Sequence, residues 1–152
     1  MALGDFDWMV QNAQRFFAFA QNDMTSRGAM GKQFIIVGCV FGFLAVALGA
    51  FGAHMLKEKL PPDLFDIFEV GVRYHMYHAL AILVVGLAAA QWPGASLGIA
   101  GWAFTAGIVI FSGSLYVLTL TGVRWLGAIT PIGGVAFMAG WVLLAYGVWK
   151  AQ

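Results

Sequence analysis

Charged side chains are scarce in this chain of 152 residues: only 10% are Asp, Glu, Lys or Arg, whereas 61% are hydrophobic. In a soluble domain about a quarter of the residues are charged. The low fraction here indicates that most of the surface contacts a medium in which charged groups are unfavourable. The mean hydropathy of +0.83 indicates that this medium is the lipid bilayer. A net charge of +1 gives no basis for binding nucleic acid, which needs a clustered basic face.

Cysteine is also scarce. Cys39 is the single cysteine, which excludes an internal disulfide. Because Cys39 lies within an apolar run, we expect it to be a small buried or lipid-facing residue. The first ten residues carry acids where a signal peptide needs a basic stretch, so we expect the N-terminus to be retained.

Long apolar runs dominate what is present. In hydrocarbon every backbone N–H and C=O group needs a partner within the protein, and about 20 apolar residues suffice for a helix that crosses the bilayer. The runs alternate too weakly for barrel strands. The sequence predicts an all-α integral membrane four-helix bundle over residues 32–152, with spans at about 33–53, 74–91, 95–121 and 125–149.

Four crossings place both termini on one side of the membrane. The positive-inside rule does not identify that side, because four basic residues fall on each. They are Arg15, Arg27, Lys32 and Lys150 on the terminal side and Lys57, Lys59, Arg73 and Arg124 on the other. Tryptophans near the predicted helix ends are typical of interface anchors. They are Trp8, Trp92, Trp125 and Trp149.

Residues 1–31 precede the first predicted span and are amphipathic. Phe6, Val10 and Phe17 recur at helical spacing, with polar residues elsewhere around the helix. We expect a helix in the plane of the membrane interface, with a loosely ordered tail as the alternative. A further helix is expected to begin at about Asp63, after a pair of prolines, and to bend or continue into the second span.

Glycine recurs at helical spacing in the first and fourth spans. The positions are Gly38, Gly42 and Gly49 in the first span and Gly133, Gly140 and Gly147 in the fourth. Small residues let membrane helices approach closely, and a seven-residue step keeps them on one face. The two stripes therefore predict a tightly packed bundle.

Polar groups and one proline lie at membrane depth in the third and fourth spans. Ser112, Ser114 and Tyr116 are natural hydrogen-bond partners across helices, worth about 1 kcal/mol or less each. Pro131 falls about two turns into the predicted fourth span and is expected to kink it. Thr130 could then bind the carbonyl group that the kink frees.

Ionisable residues near the membrane are candidates for function because they are costly there. They gather at the end of the first span and the start of the second, together with one tyrosine. These residues are His54, Glu69, Arg73, His75, Tyr77 and His78. Glu69 and Arg73 are four residues apart with the acid first, which predicts an ion pair. The favoured interpretation is a polar cluster at the membrane interface, either structural or ligand-binding.

More specific interpretations of the same residues, as metal or haem ligands, have less support. Three histidines could ligate zinc, imidazole beside thioether would suit Cu(I), and two facing histidines could hold haem. The spacing lacks the close pairs of strong zinc motifs, so no metal and no cofactor is predicted. No carboxylate pair lies within the membrane, no Gly-rich loop follows a strand, and no Ser-His-Asp arrangement is suggested. No catalytic residue is predicted, and an enzyme is not expected.

Four blocks of sequence resemble a known family. They are GAFGAH at 49–54, FEVGVRYHMYHAL at 68–80, FSGSLY at 111–116 and GAITPIGG at 127–134. In this order, from about Lys32 to Lys150, the chain is similar to the small bacterial membrane proteins catalogued as domain of unknown function 423, which have a eukaryotic relative called transmembrane protein 256. The resemblance implies a four-helix protein of the bacterial inner membrane. It implies no activity, because the function of the family is not established.

The first 31 residues depart from that family, whose members usually begin close to the first span. An added amphipathic helix predicts a docking element for another integral membrane protein. Its candidate contacts are Phe6, Trp8, Val10, Phe16 and Phe17. The resulting hypothesis is a non-catalytic accessory or scaffold subunit of a larger membrane complex. The alternatives are a small-solute or ion transporter or channel, and a haem- or metal-binding membrane protein.

Overall fold

The computed structural model describes residues 3–92 and 94–151, apart from the side chains at 3–7, 9, 22–24 and 26–27. Within these ranges all regular structure is helical and no strand occurs. The α-helices are α1 (Leu3–Phe51), α2 (Pro62–Gln91), α3 (Ala95–Gly107), α4 (Gly113–Thr121) and α5 (Thr130–Lys150). Short helical turns join them: π-helical at Gly52–Leu56 and Ile108–Ser112, and 3-10 at Arg124–Ala128.

Helical segments long and apolar enough to cross a membrane occur four times in the described ranges. They are Gly28–Leu56, Pro62–Gln91, Ala95–Thr121 and Arg124–Lys150. The third span (Ala95–Thr121) combines α3, a π-helical turn and α4 in one continuous helical segment. The prediction of an all-α membrane bundle with four spans is confirmed. We call the end of the bundle near Gln91 and Lys150 the terminal end, and the opposite end the loop end.

The helix predicted before the first span is present, but it is not a separate element. α1 runs for 49 residues without interruption, and no proline occurs within it. At about 1.5 Å per residue it is about 74 Å long, more than twice the hydrocarbon thickness of about 30 Å. No break marks the expected boundary at residue 31. The part of α1 before Gly28, the N-terminal extension, continues beyond the bundle; its orientation in the interface plane stays a prediction.

Proline marks the start of both α2 and α5. α2 begins at Pro62 and continues to Gln91, so the predicted helix at Asp63 runs into the second span without a break. α5 begins at Thr130, with Pro131 in its first turn. Proline is tolerated there because N–H groups in the first turn have no hydrogen-bond acceptor within the helix, so the absence of one costs little. The structure therefore corrects the predicted kink: Pro131 starts the helix instead of bending it.

α2 packs against α1 on one side and against the third span on the other, and α5 packs along the third span. The core lies where these helices meet. Its most completely buried large side chains include Phe34, Ile82, Val85, Leu97 and Phe104. α1 reaches α3 as well, because Phe34 packs directly over Gly101, where no side chain intervenes.

The glycines of α5 form its contact face with the third span. A Cβ atom built at Gly133 would lie 2.5 Å from the amide nitrogen of Phe111, and one at Gly140 would lie 2.6 Å from the Phe104 ring. At Gly147 it would lie 2.8 Å from the Leu97 side chain. The partners Leu97, Phe104 and Phe111 also step by seven residues. The two helices thus pair antiparallel in a heptad register with large side chains over glycines.

The glycines of α1 are less uniform. A Cβ atom at Gly38 would lie 2.7 Å from the Leu83 side chain, and one at Gly49 would lie 3.3 Å from Val72, so both face α2. Gly42 differs from the prediction, because a Cβ atom there would meet nothing within 4 Å. It lies between Gly38 and Gly49 in sequence and on nearly the same face of α1, but no neighbouring side chain packs over it.

Candidate functional site

His75 is buried among three helices. Its side chain is 3% exposed, and its Nδ1 atom lies 3.2 Å from the hydroxyl oxygen of Tyr116 in α4. The ring also meets the ring of Phe41 in α1, edge to face, with centroids 5.4 Å apart. Its Nε2 atom has no hydrogen-bond partner among the described residues. His75 thus joins α1, α2 and α4 through one polar and one aromatic contact.

His78 faces α5 instead. Its ring stacks on that of Phe137 with centroids 3.4 Å apart and an interplanar angle of 6°. Its Nδ1 atom lies 2.8 Å from the backbone carbonyl oxygen of Tyr74, one turn earlier. A carbonyl oxygen only accepts, so Nδ1–H is the donor and the neutral ring keeps Nε2 as an acceptor. The His78 ring is therefore held by stacking on its face and by a hydrogen bond at its edge.

The predicted polar cluster does not assemble as one site. His75 and His78 contact different helices, while His54 is exposed on the π-helical turn after α1 and Tyr77 is exposed on α2. In the part of the chain that the structure describes, no group of three or more His, Cys, Asp or Glu side chains is placed to hold a metal ion. His54, His75 and His78 are thus not gathered as a zinc ligand set.

Glu69 and Arg73 line a cleft between the end of α1 and the start of α2, which we call the α1–α2 cleft. Its volume is about 170 Å³. It is lined by Gly49, Gly52, Ala53, Phe65, Phe68, Glu69, Val72 and Arg73. The wall opposite α2 consists of Gly49 at the end of α1 and of Gly52 and Ala53 in the π-helical turn that follows, and the Phe68 ring packs over Gly52.

The ion pair predicted between Glu69 and Arg73 is not formed. The Nε atom of Arg73 donates instead to the backbone carbonyl oxygen of Glu69, at 3.4 Å. Both side chains are exposed, so water competes for the carboxylate and the pair gains little. The carboxylate and the remaining guanidinium N–H groups have no partner among the described residues.

An ion pair that the sequence did not suggest closes the loop end. Arg124, just before α5, approaches Asp63 in the first turn of α2 with 2.8 Å between Nη2 and Oδ2. The residues are 61 positions apart. Nothing in local spacing marks such a pair, because it depends on how the bundle brings two loops together.

The hydroxyl groups at membrane depth differ in their hydrogen bonding. Ser114 Oγ donates to the carbonyl oxygen of Phe111 at 2.9 Å and lies 2.9 Å from Thr130 Oγ1. This links the third span to the first residue of α5, where Thr130 binds a neighbouring helix instead of a freed carbonyl. Ser112 Oγ is fully buried and has no partner among the described residues.

The candidate docking residues lie on the N-terminal extension, away from the bundle. Trp8, Val10, Phe16 and Phe17 are all exposed, whereas the side chain of Phe6 lies outside the described residues. Among the glycine positions, Gly28 has no neighbour within 4 Å, whereas Gly31 approaches Gly86 and Ala90 in α2, and Met30 approaches Gly98 in α3.

Comparisons with known proteins place these features in a family. A family model described as "Protein of unknown function (DUF423)" matches residues 48–134. The chain is 52% identical to the UPF0382 membrane protein YwdK of Bacillus subtilis over 89 residues, 58% of this chain and 72% of that protein. It is 44% identical to a UPF0382 membrane protein of Staphylococcus aureus and 50% identical to one of Staphylococcus epidermidis, each over 87 residues, 57% of this chain and 70% of the relative. No solved structure matches the chain.

The matched region and the extension are distinct. Residues 48–134 contain the α1–α2 cleft, both buried histidines and the hydroxyl pair of Ser114 and Thr130. The N-terminal extension lies outside that region. The three relatives are also shorter than this chain, because the matched residues form a larger share of each of them.

Proposed function

Because this chain belongs to the DUF423 family, whose bacterial relatives are named only as membrane proteins, we propose a role that its own surface supports. The protein is a non-catalytic accessory or scaffold subunit of a larger complex in the inner membrane. It docks onto another integral membrane protein through the N-terminal extension and through lipid-facing helix surfaces.

The exposed aromatic surface of the extension carries the proposal. Trp8, Phe16, Phe17 and Phe19 have exposed fractions between 67% and 72%. At 100° per residue, Trp8, Phe16 and Phe17 spread over an arc of about 180°. Exposed aromatic patches of this kind mark interaction sites, and a helix with such a face fits an apolar groove on a partner. Gln11 provides a polar position on the opposite side.

The construction of the bundle supports a structural role. Close glycine contacts join α5 to the third span and α1 to α2, so these helix pairs are tightly packed at the glycine positions. The buried histidines are engaged in packing and hydrogen bonding, and the described residues contain no group of three or more His, Cys, Asp or Glu placed to hold a metal ion. These observations favour a rigid packing unit over a catalyst or a transport path.

Site-specific photo-crosslinking in native membranes tests the docking. A photoreactive phenylalanine analogue at Phe16 should give one discrete protein adduct, while the same analogue at Gln11 should give little. A full-length chain extracted in mild detergent should also migrate as a complex larger than itself in native mass analysis.

Deleting residues 2–27 tests the role of the extension directly. The shortened chain should retain its bundle, because the close α1–α2 contacts at Gly31, Gly38 and Gly49 all lie after the deleted residues. It should lose the larger complex. If the full-length and shortened chains run alone, or if both crosslinking positions capture only lipid, the scaffold proposal is wrong and the extension is a membrane-surface helix.

A further inference from the structure

We propose that the α1–α2 cleft binds one phospholipid whose headgroup carries both a phosphate and a primary ammonium group, such as phosphatidylethanolamine. Arg73 binds the phosphate and Glu69 binds the ammonium. The first part of an acyl chain enters the cleft. This site is separate from the N-terminal extension, so it does not rest on the docking proposal.

The position of the cleft along α2 places it at headgroup depth. α2 has 30 residues and a length of about 45 Å, more than the hydrocarbon thickness of about 30 Å. Arg73 is its last charged residue, and the uncharged part from Tyr74 to Gln91 is about 27 Å long. That part fills the hydrocarbon. Glu69 and Arg73 then lie at the level of phosphate and headgroup.

The two charges are free to act on a ligand. Glu69 and Arg73 lie one helical turn apart on the rim of the cleft and do not pair with each other. Arg73 uses Nε on a backbone carbonyl oxygen and leaves its remaining N–H donors, the fork that suits phosphate. An anionic headgroup without a cation would meet repulsion from Glu69, whereas an ethanolamine headgroup satisfies both side chains.

The walls of the cleft suit an acyl chain. On the α1 side Gly49 and Gly52 bring the backbone to the cleft, and on the α2 side Phe65 and Val72 supply apolar surface. A volume of about 170 Å³ admits part of one chain. The primary ammonium distinguishes ethanolamine from choline, because a quaternary ammonium cannot donate a hydrogen bond to the Glu69 carboxylate.

The test is native mass spectrometry of the full-length protein released from nanodiscs with equal amounts of phosphatidylethanolamine, phosphatidylcholine and phosphatidylglycerol. The wild-type chain should retain one phosphatidylethanolamine about fivefold over either other lipid, the change expected from one charge-assisted contact at an exposed site. Glu69→Gln should abolish the preference over phosphatidylglycerol. Arg73→Gln should reduce retention of all three lipids.

Matched controls separate the site from general surface charge. Glu58→Gln and Lys59→Gln remove exposed charges at the same end of the bundle outside the cleft, and should leave lipid retention unchanged. Ala53→Leu fills the cleft and should abolish retention, whereas Ala47→Leu, at an exposed α1 position outside the cleft, should not.

Three outcomes would overturn the proposal. One is equal retention of the three lipids by the wild-type chain. Another is an effect of Glu58→Gln as large as that of Glu69→Gln. The third is displacement of the lipid by water-soluble phosphoethanolamine at equal concentration, which would assign the site to a free phosphate compound.

Discussion

Adding a single methyl group at Gly133 should separate α5 from the third span. A Cβ atom at this position would lie 2.5 Å from the amide nitrogen and 2.8 Å from the Cα atom of Phe111. These neighbours belong to helix backbone, so no change of rotamer relieves the contact. An ordinary contact of about 3.5 Å requires the two helices to move apart by about 1 Å.

The expected cost follows from two opposing effects. Overpacking of this kind costs about 1–3 kcal/mol, with a backbone neighbour at the upper part of the range. Alanine is a better helix former than glycine by up to about 1 kcal/mol, which offsets part of the loss. We expect Gly133→Ala to lower the free energy of unfolding by about 1–2 kcal/mol.

Gly42→Ala is the matched control. It makes the same chemical change in a helix of the same bundle, but its Cβ atom would meet nothing within 4 Å. Only the helix-propensity gain applies, so this variant should be unchanged or more stable by up to about 1 kcal/mol. Reversible unfolding in mixed micelles of dodecylmaltoside and SDS, followed by circular dichroism, measures both. Equal stability of the two variants would refute the packing argument for the α5 stripe.

Three further substitutions test individual polar contacts by the same unfolding assay. Tyr116→Phe removes the hydroxyl group beside a buried imidazole and should cost about 0.6 kcal/mol, the average for hydrogen bonds between membrane helices; no loss would show that this contact is not stabilising. Ser114→Ala should cost a similar amount, whereas Ser112→Ala should be neutral or stabilising, because Ser112 Oγ has no partner among the described residues; equal losses would contradict this assignment. Asp63→Asn should lower stability only slightly, and less still in high salt, since its ion pair with Arg124 is exposed; a loss larger than that of Tyr116→Phe would contradict this.

The fold was predictable because hydrocarbon imposes a constraint that acts on every residue of a span. Uncharged runs of about 20 residues must become helices, and the four predicted spans match the four that the structure contains. Predicting each helix end required more. The apolar residues before Pro131 predict that it lies inside a helix, but residues 124–128 form a 3-10 turn and α5 begins at Thr130.

The polar residues were harder to predict because their geometry depends on neighbouring helices. His75 and His78 share one helix and were expected to share one cluster, yet a rotation of 60° between them directs one to Tyr116 and the other to Phe137. Glu69 and Arg73 have ideal spacing for an ion pair, and water at an exposed surface removes most of its advantage.

The glycine pattern shows where local sequence stops being informative. Gly133, Gly140 and Gly147 repeat at seven residues, and each accepts a large side chain of the third span. Gly42 belongs to a similar pattern in α1 and accepts none. The sequence shows that a helix face carries small residues. Only the position of the neighbouring helix decides whether a large side chain packs against that face.

By itself, the sequence determined that this protein lies in a lipid bilayer, that it has four spans, and that the chain before the first span is helical. Those properties depend on summed hydropathy and on local backbone hydrogen bonding, which are additive along the chain. The tertiary structure alone decided which histidine meets which helix, that Asp63 pairs with Arg124, and that Glu69 and Arg73 line a cleft against the end of the first span. These contacts join residues far apart in sequence, so they exist only after the helices have packed.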